Sequence, residues 1–232
     1  MNSHYTPVHQ FEIRFTPIIN LSLKIKDLLA PYIQRTTNFN IENENLASQR
    51  ITLNFDDNSY SIFITWDRIV LSSNIGIDDL SDPNSFVKEP FFAIYEKIQE
   101  LSPLAACKNF LFYAIGVKEV EKSSFDDNFK FVKDKYLNGQ SCDILTPGFN
   151  DCGVSLEKKS QNVTTTFTFG PYKGIIDFTN RNIQLTTKNI SFVSDKQGMF
   201  AEYKSLNEQG ITPDFKVYKN LISEFNDFVN RI

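Results

Sequence analysis

The chain has 232 residues, of which 41% are hydrophobic, including 22 Phe and 9 Tyr, and it carries a formal net charge of −4. This length and aromatic content predict a folded protein with a substantial core and exclude an intrinsically disordered chain. Residues 1–116 hold 9 Lys+Arg against 13 Asp+Glu. Because nucleic-acid binding depends on Lys and Arg that neutralise phosphates, the absence of net positive charge disfavours a nucleic-acid partner.

The first residues contain no apolar run of the length found in signal peptides, and no stretch approaches the roughly 20 apolar residues of a membrane-spanning helix. Three cysteines, Cys107, Cys142 and Cys152, fit a reducing compartment better than a disulfide framework. We therefore expect a soluble cytoplasmic protein with no membrane partner.

The first half begins with a predicted strand at residues 11–15, where apolar and charged side chains alternate. His4 and His9 precede it and are predicted to lie in a mobile tail, so we expect no histidine-based catalytic site in the folded body. A helix over residues 21–30, ended by Pro31, comes next. Strands at 37–41, 50–55, 60–66 and 69–71 and a helix at 92–99 complete the half.

The second half repeats this order, with a strand at residues 110–117 followed by a helix at 127–137. Further strands are predicted at 153–158, 163–169, 174–178 and 183–192. A last helix covers residues 214–232, with Thr212 as its cap and Pro213 at its first position.

The two halves share the order strand, helix, several strands, helix, which predicts an α+β protein made of a duplicated unit, with residues 1–108 as the first repeat and 109–232 as the second. The repeats could join into one continuous antiparallel sheet with helices on one face, which resembles the saddle of TATA-binding-protein-like folds. Two independent α+β domains are the alternative.

A family resemblance rests on three segments: Ile64 to Trp66, Pro90 to Ile98 and Phe110 to Ile115. In order, they hold a tryptophan-bearing strand, an aromatic helix with Phe92 and Tyr95, and an apolar strand. This pattern resembles a sporadically distributed family of uncharacterised bacterial proteins. The resemblance covers the middle third of the chain, lacks the Asn that usually follows the Tyr-Ile pair of the family, and implies no activity.

No motif predicts a catalytic residue, a metal ligand set or a cofactor site. Asp78, Asp79 and Asp82 could offer oxygen ligands together with Asp67 or Glu89, but their spacing fits no EF-hand loop and a solvated acidic loop is the simpler interpretation. We therefore expect a protein that is not an enzyme and holds no metal.

The feature that points to function is an uncharged sheet face. Thr164, Thr166 and Thr168 alternate with apolar residues in one predicted strand, so their side chains share a face. The first repeat has a similar set on its own strands, which is Thr52, Asn54, Ser61, Thr65 and, among them, Phe63. Gln184 and Thr186 are predicted to extend this uncharged face late in the chain. Such a face suits a partner surface, although the high β-propensity of Thr alone would also explain it.

These observations predict a non-enzymatic protein-interaction module whose partner is another protein, with a homodimer also open. An antitoxin, immunity or defence accessory role in a bacterium is compatible with them. The alternative is a small-ligand-binding module with an aromatic cleft between the repeats, lined by Trp66, Tyr113 and Tyr172. Nucleic-acid binding and a metal-dependent enzyme rank behind both.

Overall fold

The computed structural model describes residues 4–19, 21–44, 46, 48–55, 60–73, 87–102, 106–121, 123–138, 148 and 150–232. The strands are β1 His4–Phe15, β2 Asn38–Glu42, β3 Arg50–Phe55, β4 Tyr60–Thr65, β5 Arg68–Ser73, β6 Cys107–Glu119, β7 Val154–Ser160, β8 Val163–Pro171 and β9 Gly198–Asn207. The helices are α1 Leu21–Ile33, α2 Ala93–Leu101, α3 Phe125–Tyr136, α4 Ile176–Thr179, α5 Thr187–Val193 and α6 Phe215–Arg231. Within this part of the chain, no helix is long and apolar enough to span a membrane.

All nine strands belong to one sheet in the order β2-β3-β4-β5-β1-β6-β9-β8-β7, and every neighbouring pair is antiparallel. The first strand of each repeat lies at the centre, where β1 pairs with β6. From this central pair, the later strands of each repeat follow outward in reverse chain order. The fold is therefore α+β, with a duplicated strand-helix-strands-helix unit, as the sequence predicts.

The main core lies between one face of the sheet and helices α1, α2 and α6. Phe11 and Ile13 of β1 are fully buried there, together with Leu29 of α1, Ile98 of α2 and Phe225 of α6. Helix α3 packs on the same side, where Val132 meets the ends of β8 and β9. The four long helices thus share one face of the sheet.

Local sequence fixes the ends of these helices. Asp214 has an extended backbone, and its carboxylate accepts a hydrogen bond from the Val217 N–H at 2.8 Å. It is therefore the cap of α6, and the prediction of Thr212 as the cap is wrong by two residues. Helix α1 continues past Pro31 to Ile33, so the predicted end at residue 30 is also wrong.

The N-terminal segment is a strand and not a tail. His4 and His9 both lie in β1, which pairs with β6 along its length. The His9 ring is 1% exposed, and it packs against the rings of Phe112 and Tyr218 at centroid distances of 4.9 and 5.5 Å. The tail prediction is wrong because pairing with β6 orders residues that show no strand pattern of their own.

The connection between β8 and β9 is helical, so the predicted strands at residues 174–178 and 183–192 are wrong. Helix α4 holds Phe178 and helix α5 holds Val193, and both side chains are fully buried. They pack against Tyr172, Phe200 and Ile115 on the face of the sheet that lies opposite the long helices. This connection is a second layer that covers part of that face.

Strand β9 is absent from the predicted elements, yet it joins β6 to β8. Its Ala201 and Tyr203 are buried on the side of the long helices. Phe200 is buried beneath α4 and α5 on the opposite side. Burial on both faces hides the alternation of apolar and polar residues that marks an exposed strand.

Candidate interaction face

Side-chain alternation gives the sheet two faces, and we call the one opposite α1, α2, α3 and α6 the open face. The registers of the nine strands place polar, apolar and charged side chains on it. From β2 across to β7, and apart from the residues beneath α4 and α5, they are Asn38, Asn40, Glu42, Arg50, Thr52, Asn54, Ser61, Phe63, Thr65, Arg68, Val70, Ser72, Gln10, Glu12, Arg14, Asn109, Leu111, Tyr113, Glu202, Lys204, Leu206, Thr164, Thr166, Thr168, Ser155, Glu157 and Lys159.

A line of apolar side chains crosses the open face. Phe63 is opposite Val70, and on the other side of β1, Leu111 of β6 is opposite Leu206 of β9. All four are partly exposed. Partly exposed apolar groups with polar and arginine neighbours resemble the mixed character of protein–protein interfaces.

Glu12 interrupts this line at the centre of the sheet, and its charge is compensated locally. Its side chain is only 7% exposed. One carboxylate oxygen forms ion pairs with Arg14 Nε and with Arg68 Nη1, the latter at 3.3 Å, while the other accepts a hydrogen bond from Gln10 Nε2 at 3.3 Å. The buried acid therefore adds no net negative charge to the surface around it.

Arg68 also holds a second carboxylate at the edge of the open face. Its Nε and Nη2 donate to the two oxygens of Asp67 at 3.1 and 3.2 Å, and the Thr65 hydroxyl donates to Asp67 at 2.9 Å. Partial burial opposes ionisation, but the hydrogen bonds from Arg68 and Thr65 outweigh it and lower the pKa of Asp67. This pair leaves Arg68 with little charge to offer a phosphate.

Phe63 is held in place from one side by a cation. The Arg50 guanidinium lies 4.5 Å from the centroid of the Phe63 ring, a cation–π geometry. Next to it, the Ser61 hydroxyl donates to Asn54 Oδ1 at 2.6 Å. These contacts order the side chains of β3 and β4 on the open face.

On the second repeat, the open face ends where α4 and α5 begin. The Tyr113 hydroxyl donates to Glu202 at 2.9 Å, and Arg181 Nε donates to the other oxygen of Glu202 at 2.8 Å. Burial, and then the negative charge of Glu202, raise the pKa of Tyr113. Arg181 also lies 4.2 Å from the Phe200 ring centroid. This network ties the covering layer to the sheet.

A cavity of about 460 Å³ opens on the first repeat between the sheet and the chain that leads into β3. Glu12, Arg50, Phe63, Trp66 and Arg68 are among its lining residues. The open face is thus concave there, and Trp66, which is 41% exposed, forms part of its rim.

The structure places the eight residues predicted for partner binding on one face of the sheet, in two groups that are separated by β5, β1, β6 and β9. The paired registers place Thr52, Asn54, Ser61, Phe63 and Thr65 side by side on β3 and β4, and the three threonines lie on the same face in β8. Gln184 and Thr186, predicted to extend this set, lie outside the sheet, and Thr186 caps α5.

The three aromatic residues predicted for a ligand cleft lie on different elements. Trp66 is in the turn between β4 and β5, and Tyr113 is in the middle of β6. Tyr172 follows β8, is 2% exposed, and donates a hydrogen bond to the Val193 carbonyl oxygen at 3.1 Å. Tyr172 is therefore part of the packing beneath α4 and α5.

The acidic residues considered as metal ligands fall into two groups. Asp78, Asp79 and Asp82 lie outside the described residues, while Asp67 pairs with Arg68 and Glu89 forms an ion pair with Arg35 at 3.6 Å. Within the described part of the chain, no three His, Cys, Asp or Glu side chains meet in a group that could hold a metal ion.

Sequence reasoning missed Glu12, Arg68, Leu111, Leu206 and Lys204 as members of the open face. For β5 and β6, the sequence pattern was sufficient to find them, because both strands were predicted and side-chain alternation assigns Arg68 and Leu111 to the open face. For β9, the signal is weak because the strand is partly buried on both faces.

No protein-family model matches the chain, and no curated protein matches it. The chain is similar to a solved structure, Methanococcus jannaschii TBP, with 8% sequence identity over 99% of each chain and a TM-score of 0.26. A likeness of this size carries no functional argument, and the strand order itself defines the architecture. The resemblance to uncharacterised bacterial proteins stays a prediction.

Proposed function

We propose that the protein is a non-enzymatic interaction module that binds another protein through the open face. The observation that carries the proposal is the line formed by Phe63, Val70, Leu111 and Leu206 on the open face. One side of the line is bordered by a mainly uncharged row, which is Asn54, Ser61, Ser72, Gln10, Tyr113, Lys204 and Thr166. The other side is bordered by an arginine-rich row, which is Arg50, Thr65, Arg68, Arg14 and Asn109. Arginine and aromatic residues are enriched at protein–protein interfaces, whereas Lys and Glu are depleted there, and three of the four cations beside the line are arginines.

The charges of the open face favour a protein over a nucleic acid. Four cations lie on this face between β3 and β8. Arg14 and Arg68 are compensated by Glu12 and Asp67, Arg50 stacks on the Phe63 ring, and Lys204 lies between Tyr113 and Thr166. Affinity for nucleic acid comes mainly from cations that neutralise phosphates, and cations already paired with carboxylates contribute little. A partner with a polar, uncharged surface and an apolar centre fits this face better.

The finer part of the proposal is a cytoplasmic antitoxin, immunity or defence accessory role in a bacterium. Its support is the acidity of the chain, which has a net charge of −4 and would complement a basic partner. Co-purification with a basic protein encoded beside this gene would support the finer role. Co-purification with an acidic partner would contradict that role and leave the open-face proposal standing.

The proposal is tested by placing charge on the open face. Leu111 and Leu206 replaced together by Lys should abolish capture of the partner from lysate of the native organism, because both substitutions put an ammonium group on the apolar line that carries the proposal. The control replaces Leu23 of α1 and Phe131 of α3 by Lys, since both are exposed on the helical side. Equal capture by the folded open-face variant and the wild type would refute the proposal.

A further inference from the structure

A second cavity lies on the opposite face of the sheet, beneath the first turns of α6. Its volume is about 320 Å³. Polar side chains dominate the strand side of its lining, with Lys158, Ser160, Thr165, Ser205 and Asn207, and α6 adds Glu224. This is the core side of the sheet, where the first repeat places apolar residues.

The duplicated fold supplies an internal comparison for this cavity. Starting from the central pair, one row of side chains in the first repeat follows the registers through four isoleucines: Ile13, Ile69, Ile64 and Ile51. All four are at most 3% exposed. In the second repeat, the row that is compared with it starts in β6 and runs outward to β7. It consists of Phe112, Ser205, Thr165 and Lys158.

The neighbouring row shows the same replacement. In the first repeat it consists of Phe11, Leu71, Ile62 and Leu53, each with 0% exposure. In the second repeat it consists of Phe110, Asn207, Val163 and Ser160. Lys158 and Ser160 are exposed on the edge strand β7, whereas β3 is flanked by β2. The comparison therefore rests on Ser205, Thr165 and Asn207, which are polar at positions where the first repeat has Leu or Ile.

The buried hydroxyls of this cavity form one network with a carboxylate of α6. Thr165 is 7% and Ser205 is 2% exposed, and both side chains form hydrogen bonds with the Tyr203 hydroxyl, which donates to Glu224 at 2.8 Å. The Thr165 and Ser205 hydroxyl oxygens are themselves 3.4 Å apart, which is long for a hydrogen bond between hydroxyls. Because a hydroxyl can donate one hydrogen bond and accept two, this network retains positions that a ligand in the cavity can use.

We propose that this cavity binds an uncharged polyhydroxylated molecule with a single ring, such as a monosaccharide. The lining has one cation, Lys158, and one anion, Glu224, so it favours a ligand without net charge. Its hydroxyl and amide groups both donate and accept hydrogen bonds, as a polyol requires. The volume is near the lower limit for small-molecule pockets.

The remaining walls suit the ring of such a ligand. Phe110, Val163, Val217 and Leu221 complete the apolar part of the lining, and apolar groups pack against the C–H faces of a sugar ring. Glu224 is held from the sheet by the Tyr203 hydroxyl, which donates to its carboxylate at 2.8 Å. An oriented carboxylate is a suitable acceptor for ring hydroxyls.

The test measures binding of defined polyols to the full chain by saturation-transfer NMR. The probes are glucose, galactose, ribose and myo-inositol, with glycine and inorganic phosphate as charged comparisons. Thr165→Val keeps the shape of the side chain and removes its hydroxyl, so the affinity for the bound polyol should fall about tenfold. Thr164→Val is the matched control, because Thr164 points to the open face.

Saturation transfer from at least one polyol, lost in the Thr165 variant and retained in the Thr164 variant, is the expected result. Transfer from none of the polyols, or equal transfer in both variants, would overturn the proposal, and so would preferential binding of glycine or phosphate. The melting temperature is a second readout. A marked decrease caused by Thr165→Val without ligand would show that the hydroxyl serves the fold and would also overturn the proposal.

Discussion

At the scale of single residues, His9 is the most unusual group in the core. Its Nε2 lies 2.7 Å from the Tyr218 hydroxyl and its Nδ1 lies 3.2 Å from the Tyr113 carbonyl oxygen. Because a carbonyl oxygen only accepts, Nδ1 carries the proton and Nε2 accepts from Tyr218. Burial lowers the pKa of His9 to about 4, although the bond to the Tyr113 carbonyl opposes the shift.

This depressed pKa makes stability dependent on pH. Above the unfolded pKa of 6.5 the ring is neutral in both states, and as the pH falls from 6.5 towards 4 only the unfolded chain binds the proton. The free energy of unfolding should therefore decrease by about 3 kcal/mol over this range through His9 alone. Urea unfolding of the wild type and of His9→Gln at several pH values isolates the contribution of His9 to the free energy of unfolding, because the variant lacks this proton uptake.

A direct check of the same prediction is the titration of the His9 imidazole, followed by NMR in the folded protein. The ring signals should stay those of the neutral form down to about pH 5, one unit above the lowered pKa. Titration near 6.5 would contradict the buried position of His9 in β1.

At the scale of elements, the start of β9 depends on one close approach. A Cβ atom on Gly198 would lie 1.9 Å from the Lys118 carbonyl oxygen, whereas one on Gly174 would meet nothing within 4 Å. Gly198→Ala should therefore lower the free energy of unfolding by about 3 kcal/mol or more, because β6 and β9 must separate. Gly174 has a φ of +82°, and Gly174→Ala should cost only about 1 kcal/mol of backbone strain.

Chemical denaturation of the two glycine variants measures these effects against the wild type. Similar losses in both variants would contradict the described pairing of Glu119 with Gly198, since the Gly174 variant carries backbone strain alone.

The elements that sequence patterns predicted well are those with one exposed face. Strands β3 and β4 alternate cleanly between core and open face, and α6 holds its apolar residues on one side. Helices α4 and α5 have only four and seven residues, so they are too short to show a helical period and depend on packing around Phe178 and Val193. Strand β9 was hidden by burial on both faces.

At the scale of the whole molecule, duplication was predictable because order along the chain survives when residue identity does not. The alternation in β8 also predicted which threonines share a face. It was not predictable that the open face forms one continuous surface. That continuity depends on the pairing of β1 with β6 and on the position of β9 between β6 and β8. Such long-range registers leave no periodic signal within either repeat.

The two halves of the sheet also differ in what covers them. The first covers its core side with α1 over a row of isoleucines, and the second leaves a polar cavity at the matching rows. On the open face, α4 and α5 cover only the part of the second repeat around Ile115 and Phe200. The sheet thus presents two separate candidate sites, one on each face.

The central claim is that the open face contacts a partner protein, and site-specific photocrosslinking tests it most directly. A photoreactive residue placed singly at Leu111 or Leu206 in cells of the native organism should give one discrete protein adduct on illumination. The same residue at Leu23, which is 73% exposed on α1, should not give that adduct. Absence of adducts from both open-face positions, or the same adduct from Leu23, would contradict the account.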